Sequence, residues 1–562
     1  MQGLKDLHVI DFENNNSPQA ISKKETNVYL WCVSDSDMST KIGLNMRDLF
    51  IYLKSLNGGI FYSHNLKYDA SFIIDYLLKN GYLYSDKLNE NNSFNVLVDD
   101  RNTFYSLTIK LKTLKGSRLF KFRDSSKKIS GSVKSIGEDL KLSNRKGEID
   151  YSLDRPTGYI PTEEEIEYIK KDCLVIQEVI NKFHENGFNK LTSASDSFNA
   201  YKKALCSEQT FKMLFPTLDI DIDNFVRLSY RGGVCYLKEE YKGIDLENVK
   251  AYDVNSMYPF VMATRPLPHG VPIYFKGKPK DIANYALFIV SVEVNLSLKP
   301  NKIPTIMKKG FRFSKLTYIT NEKETQFLTL TCVDLKLMFE NYEIYDIKYI
   351  EGYYFKSSTN LFKDYVNELY EQKKTQKGVM KLLTKTKLNS LYGYFAKSPI
   401  YYGRKPYLDN INQIVKYENK EKEEGKPVYT AIACFITAYA REYLFNMINS
   451  NFNNFVYCDT DSIHLIGDNK PINMFLSESE LGGLKVEYDF IKVKYIAQKT
   501  YIGYLRGEKK LKVCCAGLPK NQKDKVFYDT FKIGLNVSGK LLPKMINGGY
   551  VLVDTCFTIK NR

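Results

Sequence analysis

The chain runs to 562 residues, 43% of them hydrophobic and 26% charged, too many for one hydrophobic core, so several domains are expected. Its 81 Lys and Arg against 65 Asp and Glu leave a formal charge of +16, which suggests a polyanionic partner such as nucleic acid, though a merely basic protein has the same signature. Ten cysteines without a C-x-x-C pair and only five histidines argue against a structural zinc site and fit a reducing cytosol.

Leu7-His8-Val9-Ile10-Asp11-Phe12-Glu13 reads as a buried strand ending in acids, and Asp11 and Glu13, two apart, share one face. His64-Asn65-Leu66-Lys67-Tyr68-Asp69 brings another carboxylate at a loop-to-helix junction. Thr162-Glu163-Glu164-Glu165 is a capping-box signature opening a helix to about Phe183. On that helix Tyr168 and Asp172, four apart, are neighbours. Four acids and a tyrosine able to orient water suit a two-metal hydrolytic site. Taken singly, each is equally a surface acid or a helix cap. The polar tract 186–197 marks the first domain boundary.

Tyr230-Arg231-Gly232-Gly233 follows, where paired glycines allow close approach to a phosphate and Arg231 would neutralise it, although a plain turn also uses Gly-Gly. Val249 to Tyr252 reads as a strand delivering Asp253 to a strand-to-helix turn, with Tyr258 five residues on. Asp253 is equally suited to capping a helix. Six prolines between 266 and 304 make the next stretch more strand and loop than helix. The pattern from Leu361 to Phe395 is helical with a break near Gly378. Lys377, Lys381, Lys385 and Asn389 recur every four residues and Tyr392 joins them, forming a gently winding ridge suited to a triphosphate or simply a solvated face. Alternating charges up to Lys426 indicate a solvated loop or hairpin. The apolar stretch 431–440 is shorter than the ~20 residues a membrane span needs. Tyr457-Cys458-Asp459-Thr460-Asp461-Ser462 then sets two acids one residue apart between apolar segments. A tight hairpin there aims both at one place, at a spacing suited to divalent cations, while a polar surface turn uses the same residues.

Three of these motifs, in this order, resemble motifs A, B and C of family-B DNA polymerases: D-x-x-S-x-Y-P at Asp253, K-x-x-x-N-S-x-Y-G at Lys385 and Y-x-D-T-D-S at Tyr457. The resemblance implies that Asp253, the Val254 carbonyl and Asp461 bind metal and that Asp459 supports them. Lys385 and Lys381 would hold the nucleotide phosphates, and Asn389, Tyr258 and Tyr392 would line the nucleotide pocket. Lys499-Thr500-Tyr501 resembles the K-x-Y element, whose Lys and Tyr hold the primer terminus. The set Asp11, Glu13, Asp69, Tyr168 and Asp172 resembles DEDD-type 3′–5′ exonucleases, with four acids as metal ligands and Lys146 assisting. His64, Asn65 and Tyr68 would contact single-stranded DNA.

Tyr230-Arg231-Gly232-Gly233 and a nearly full-length likeness resemble the protein-primed branch found in small tailed phages with terminal-protein-capped linear genomes. On that resemblance the fold is mixed α/β, an RNase H-like exonuclease joined to a right-hand polymerase. The expected divisions are exonuclease 1–192, palm 193–262 and 429–522, fingers 359–396 and thumb 523–562. An insertion at 263–358 would dock the terminal protein, and one at 397–428 would support processivity and strand displacement. The expected cofactor is Mg²⁺, two ions per site, with Mn²⁺ able to substitute. Expected partners are DNA template and primer, dNTPs and a terminal protein, for a monomer or a heterodimer with that protein in the host cytoplasm and away from membranes. Asn14 stands where close relatives usually have Thr, which puts that single-strand contact in question. Two rivals are an exonuclease with a decayed polymerase half and a non-catalytic DNA-binding protein.

Overall fold

The computed structural model describes residues 6–114, 116–142, 149–205, 207–308, 317–321, 324–508 and 511–561. Two large sheets, each with an acid-bearing strand at its middle, organise it. The first has eight strands in the order Thr40–Gly43, Val28–Asp35, Leu7–Asn14, Gly59–Ser63, Gly116–Asp124, Phe104–Thr113, Ser93–Val98, Leu83–Tyr84. Leu7–Asn14 pairs antiparallel with Val28–Asp35 and parallel with Gly59–Ser63. Helix Glu163–Glu185 covers one face, where Val9, Ile169, Val179 and Phe183 share a core. Helix Leu66–Lys79 covers the other with Ile10, Phe61, Ile73 and Leu77. Burial on both faces explains why apolar residues point to both sides of the strand, Val9 to one and Ile10 to the other, rather than to one side alone. The expected capping box is present: the Thr162 hydroxyl accepts from the Glu165 N–H at 3.2 Å, and the Glu165 carboxylate from the Thr162 N–H at 2.9 Å.

The second sheet has seven strands, in the order Leu511–Cys515, Thr500–Leu505, Leu484–Ala497, Asp245–Val254, Ser462–Ile466, Phe455–Asp459, Cys235–Leu237. Every pairing is antiparallel. Helix Ala431–Ser450 lies in the core behind it, buried along most of its length. The apolar stretch 431–440 is therefore a core helix, and no helix among the described residues is long and apolar enough to cross a membrane.

The helical pattern 361–395 is two helices, Lys363–Thr375 and Gly378–Phe395, and Gly378 at the break has φ +54°, a conformation glycine adopts freely. A separate antiparallel sheet is made of Leu267–Lys276, Tyr342–Ser358, Leu287–Leu298 and Gln326–Thr331, and helix Cys332–Asn341 follows its last-named strand. The charge-alternating tract is the hairpin Ile400–Asp409 and Ile414–Glu424, with cross-strand pairs such as Lys405–Glu418 at 3.0 Å. It is not wholly solvated, because Val415 and Tyr417 pack into the core beneath helix Leu66–Lys79. A last hairpin, Asn536–Ile546 and Gly549–Thr558, reaches the first sheet, where Asn14 donates to the Tyr550 carbonyl at 3.2 Å.

Candidate active sites

Asp253 stands opposite Ser462 in the ladder between Asp245–Val254 and Ser462–Ile466. One step further the Val254 N–H donates to the Asp461 carbonyl at 2.9 Å. Asp253 and Asp461 thus come from adjacent chains at one end of the sheet. The turn between the two motif C strands is only Thr460 and Asp461, and Thr460 takes φ +60°. A β-branched residue rarely enters that region, and such outliers collect at functional sites. The turn is tied down because the Thr460 N–H donates to the Val234 carbonyl at 2.6 Å. Ser256, Asn65 and Lys499, at the other site turns, are left-handed as well.

Burial, then Asp461 and then Glu487 push Asp253 up to about 7. Burial also raises Asp461, aided by Asp459 and Glu487. Asp459 is held differently: Lys499 Nζ lies 2.5 Å from both its oxygens, and the Tyr457 hydroxyl donates to it at 3.3 Å. Glu487 was not anticipated. It lies on Leu484–Ala497, two residues past Lys485, which faces Asp253 across the ladder.

Lys377, Lys381, Lys385 and Asn389 are all exposed, while Leu383, Leu388, Leu391 and Phe395 face the core. The four-residue stripe is therefore a cationic ridge over the carboxylates, and Lys385 is near enough to Asp253 to lower its pKa. Lys373, also unanticipated, donates to the Ser256 hydroxyl at 2.9 Å. Burial, then Lys385, Lys485 and Lys381, push its ammonium below the usual lysine value. The rings of Tyr258 and Tyr392 pack at 4.1 Å between centroids beside this cluster.

In the first sheet Asp11, Glu13, Asp69 and Asp172 line one cavity of about 240 Å³ with His64, Asn65 and Tyr68. Asp69 accepts from the Ser63 hydroxyl, and burial, then Asp11, push its carboxyl far up. The Tyr168 hydroxyl lies 3.0 Å from that of Tyr151, and burial, then Glu13 and Asp172, raise its pKa. The Tyr68 hydroxyl donates to Asn14 at 2.9 Å, so Asn14 joins the cavity wall to the last hairpin. Lys146 lies outside the described residues.

Several residues expected at DNA hold other partners in this structure. Arg231 is buried, and its guanidinium donates to the carbonyls of Ser229 at 3.2 Å, Thr329 at 2.9 Å and Met307 at 3.4 Å, which removes it from phosphate. The Tyr501 ring is buried among Tyr457, Tyr495 and Phe490. His64 uses both ring nitrogens, on the Ser125 hydroxyl at 2.9 Å and the Gly131 carbonyl at 2.8 Å, and so latches its loop. Gly233 is small for another reason than phosphate approach: a Cβ there would lie 2.9 Å from the Thr460 side chain. Gly232 is exposed with open space around it, and Tyr230 packs half-buried against the core behind the second sheet.

Divalent cations fit both acid sets. Half-buried carboxylates that raise one another's pKa gain from a shared positive charge. Among the described residues no three His, Cys, Asp or Glu side chains gather closely enough to hold an ion unaided. A pair of carboxylates that leaves further positions to substrate phosphate and water suits a hard divalent cation.

Residues 154–474 match the family model described as DNA polymerase type B, organellar and viral. The DNA polymerase of Bacillus phage M2 is 37% identical over 542 residues, covering 92% of this chain and 94% of its own. The structure of phi29 DNA polymerase complexed with primer-template DNA and incoming nucleotide substrates superposes with TM-score 0.92 at 35% identity, covering 99% of this chain and all of that one. The same enzyme complexed with single-stranded DNA gives TM-score 0.92 at 34% identity with the same coverage.

Proposed function

The chain belongs to the type B DNA polymerases of viruses and organelles, and we propose that it starts strands on a terminal protein, extends them with strand displacement and proofreads at a separate 3′–5′ exonuclease site. It is a DNA-directed DNA polymerase whose partners are template-primer DNA and dNTPs, as in the phi29 ternary complex. One observation carries the reading: Asp253 and Asp461 meet at the end of adjacent strands beneath a ridge of lysines.

In elongation the primer 3′-oxygen attacks the nucleotide α-phosphorus and pyrophosphate leaves. Lys381, Lys385 and Lys373 hold the triphosphate in line and stabilise the charge on the departing pyrophosphate. Tyr258, backed by Tyr392, closes the space a 2′-hydroxyl would need. Lys499 neutralises Asp459, which leaves Asp253, Asp461 and the Val254 carbonyl as the oxygen donors at the metal position. A Mg²⁺ or Mn²⁺ ion held there would make the attacking hydroxyl more acidic and neutralise charge on the phosphate oxygens. In the other cavity Asp11, Glu13, Asp69 and Asp172 would hold a second metal pair, and Tyr168 would orient the attacking water.

We assign 1–192 to the exonuclease, 193–262 and 429–522 to the palm, 359–396 to the fingers and 523–562 to the thumb. The separate sheet within 263–358 offers a surface for the terminal protein, and the hairpin within 397–428 is suited to enclosing DNA. The host cytoplasm is the expected compartment. Asp461→Asn should lower incorporation about a thousandfold or more, the loss of several kcal/mol of transition-state stabilisation, and leave single-strand degradation intact. The double change Asp11→Ala, Glu13→Ala should do the reverse. Equal loss of both activities in either variant contradicts two separate sites. Incubation with a candidate terminal protein, one labelled nucleotide and Mg²⁺ should yield a covalent protein–nucleotide adduct, and failure to form one counts against protein priming.

A further inference from the structure

Residues 151–161 lead across the surface into helix Glu163–Glu185. The first of them, Tyr151, lines the cavity that Asp11, Glu13, Asp69 and Asp172 share, and its hydroxyl lies 3.0 Å from that of Tyr168. Of residues 151–158, Arg155 alone is buried, with 2% of its surface exposed. A segment so exposed opens readily unless a few groups tie it down. Two neighbouring residues do so, each to a different acid-bearing element. One oxygen of Asp154 accepts from the Ser17 hydroxyl at 2.7 Å and from the Asn15 side-chain amide at 2.9 Å. Those partners stand just past strand Leu7–Asn14, which carries Asp11 and Glu13.

Arg155 reaches the other way. Its Nε donates to Glu165 at 2.6 Å, in the first turn of the helix that bears Tyr168 and Asp172. Its guanidinium lies 5.2 Å from the ring centroid of Tyr29 and 5.9 Å from that of Tyr159. Nη1 donates to the Leu153 carbonyl at 3.1 Å, which closes the bend on itself. The second Glu165 oxygen accepts from the Tyr159 hydroxyl at 3.0 Å, so two points of the segment meet on one carboxylate. A buried ion pair adds little net stability over an apolar replacement, and its better-attested use is to fix one arrangement. We propose that Asp154 and Arg155 are positioning residues for degradation: together they staple this segment across the two acid-bearing elements and hold the Tyr151 hydroxyl on Tyr168, which orients the attacking water. The inference rests on the exonuclease reading above.

The test measures single-strand degradation and single-nucleotide extension in Asp154→Ala, Asp154→Asn and Arg155→Met, each alone and combined with Tyr151→Phe. Asp154→Ala and Arg155→Met should each lower the kcat of degradation about tenfold or more and keep KM within about twofold, because a displaced hydroxyl costs rate rather than binding. Asp154→Asn keeps the one accepting oxygen and should degrade at the parent rate. In the Tyr151→Phe background no hydroxyl is left to position, so neither change should lower kcat further by more than about twofold. Extension should persist throughout, which also shows that the variants fold. Asp154 is exposed, so its variants decide the matter even where Arg155→Met unfolds the first domain. Unchanged degradation in Asp154→Ala overturns the staple. So does a full further loss in the Tyr151→Phe background, which would place the effect elsewhere, and so does an equal fall in extension. If degradation survives Asp11→Ala, Glu13→Ala, the exonuclease reading itself fails, an outcome separate from these.

Discussion

Tyr258 is the residue whose role is most cleanly separable. Its ring is braced by Tyr392, so Tyr258→Val should open room beneath the sugar and raise ribonucleotide incorporation by an order of magnitude or more, since lost steric exclusion acts directly on relative kcat/KM. Unchanged sugar discrimination would remove it from the pocket. Two histidines make the pH dependence of stability predictable. Burial pulls His464 down to about 3, and burial with Lys128 and Arg123 pulls His184 down to about 4. Below about 6.5 the unfolded chain takes up protons that these two histidines refuse when folded, so their contribution lowers stability as pH falls from about 6.5 towards those values, opposite in sign to that of the raised carboxyls of Asp253, Asp461 and Asp69. His464→Gln keeps a partner for the Tyr495 hydroxyl, which lies 2.7 Å from His464 Nδ1, and should flatten that fall; an unaltered slope would refute the cause. Residue identity was legible where chemistry demands a type, as at Asp253 and Asp461. Lys373 and Glu487 were not legible, because the first reaches the site across a helix break and the second sits in an ordinary alternating strand. Arg231 misled because a sequence does not reveal which arginines end up buried.

At the scale of elements, the turns explain how the carboxylates are aimed. The Thr460 turn fits only because Gly233 leaves room for the Thr460 side chain. Gly233→Ala should push that turn and cut incorporation at least tenfold while degradation persists, because 3.0 Å or less is closer than real Cβ contacts allow and small misplacements of reacting groups are costly. Intact incorporation would show that the turn yields freely. Arg441 holds the other side: it pairs with buried Asp334 at 2.7 Å and donates to the Arg231 and Gly232 carbonyls. Arg441→Leu strands a buried carboxylate and should cost about 3–5 kcal/mol, read as a lowered denaturation midpoint; a smaller loss would mean that water replaces the guanidinium. The acid-bearing strands, the capped helix and the broken helical pair were readable from periodicity and caps. The burial of the 400–424 hairpin at Val415 and Tyr417 was not, since alternating charges describe only the solvent side of a strand.

For the whole molecule, the +16 charge includes the lysine ridge on helix Gly378–Phe395 beside Asp253. The last hairpin ties the chain's end to its beginning through Asn14 and Asn16, the latter donating to the Leu552 carbonyl at 3.2 Å. That closure between residues 536 apart has no local sequence signal; it arises only once both sheets exist. The most direct test of the central claim uses Mn²⁺ binding followed by electron paramagnetic resonance. The protein carries Asp11→Ala and Glu13→Ala to silence the first cavity and is bound to terminated primer-template and the correct dNTP. Tight binding of two ions that falls by at least one when Asp253→Ala or Asp461→Ala is added is the expected result. Unchanged stoichiometry and affinity in both variants would contradict it.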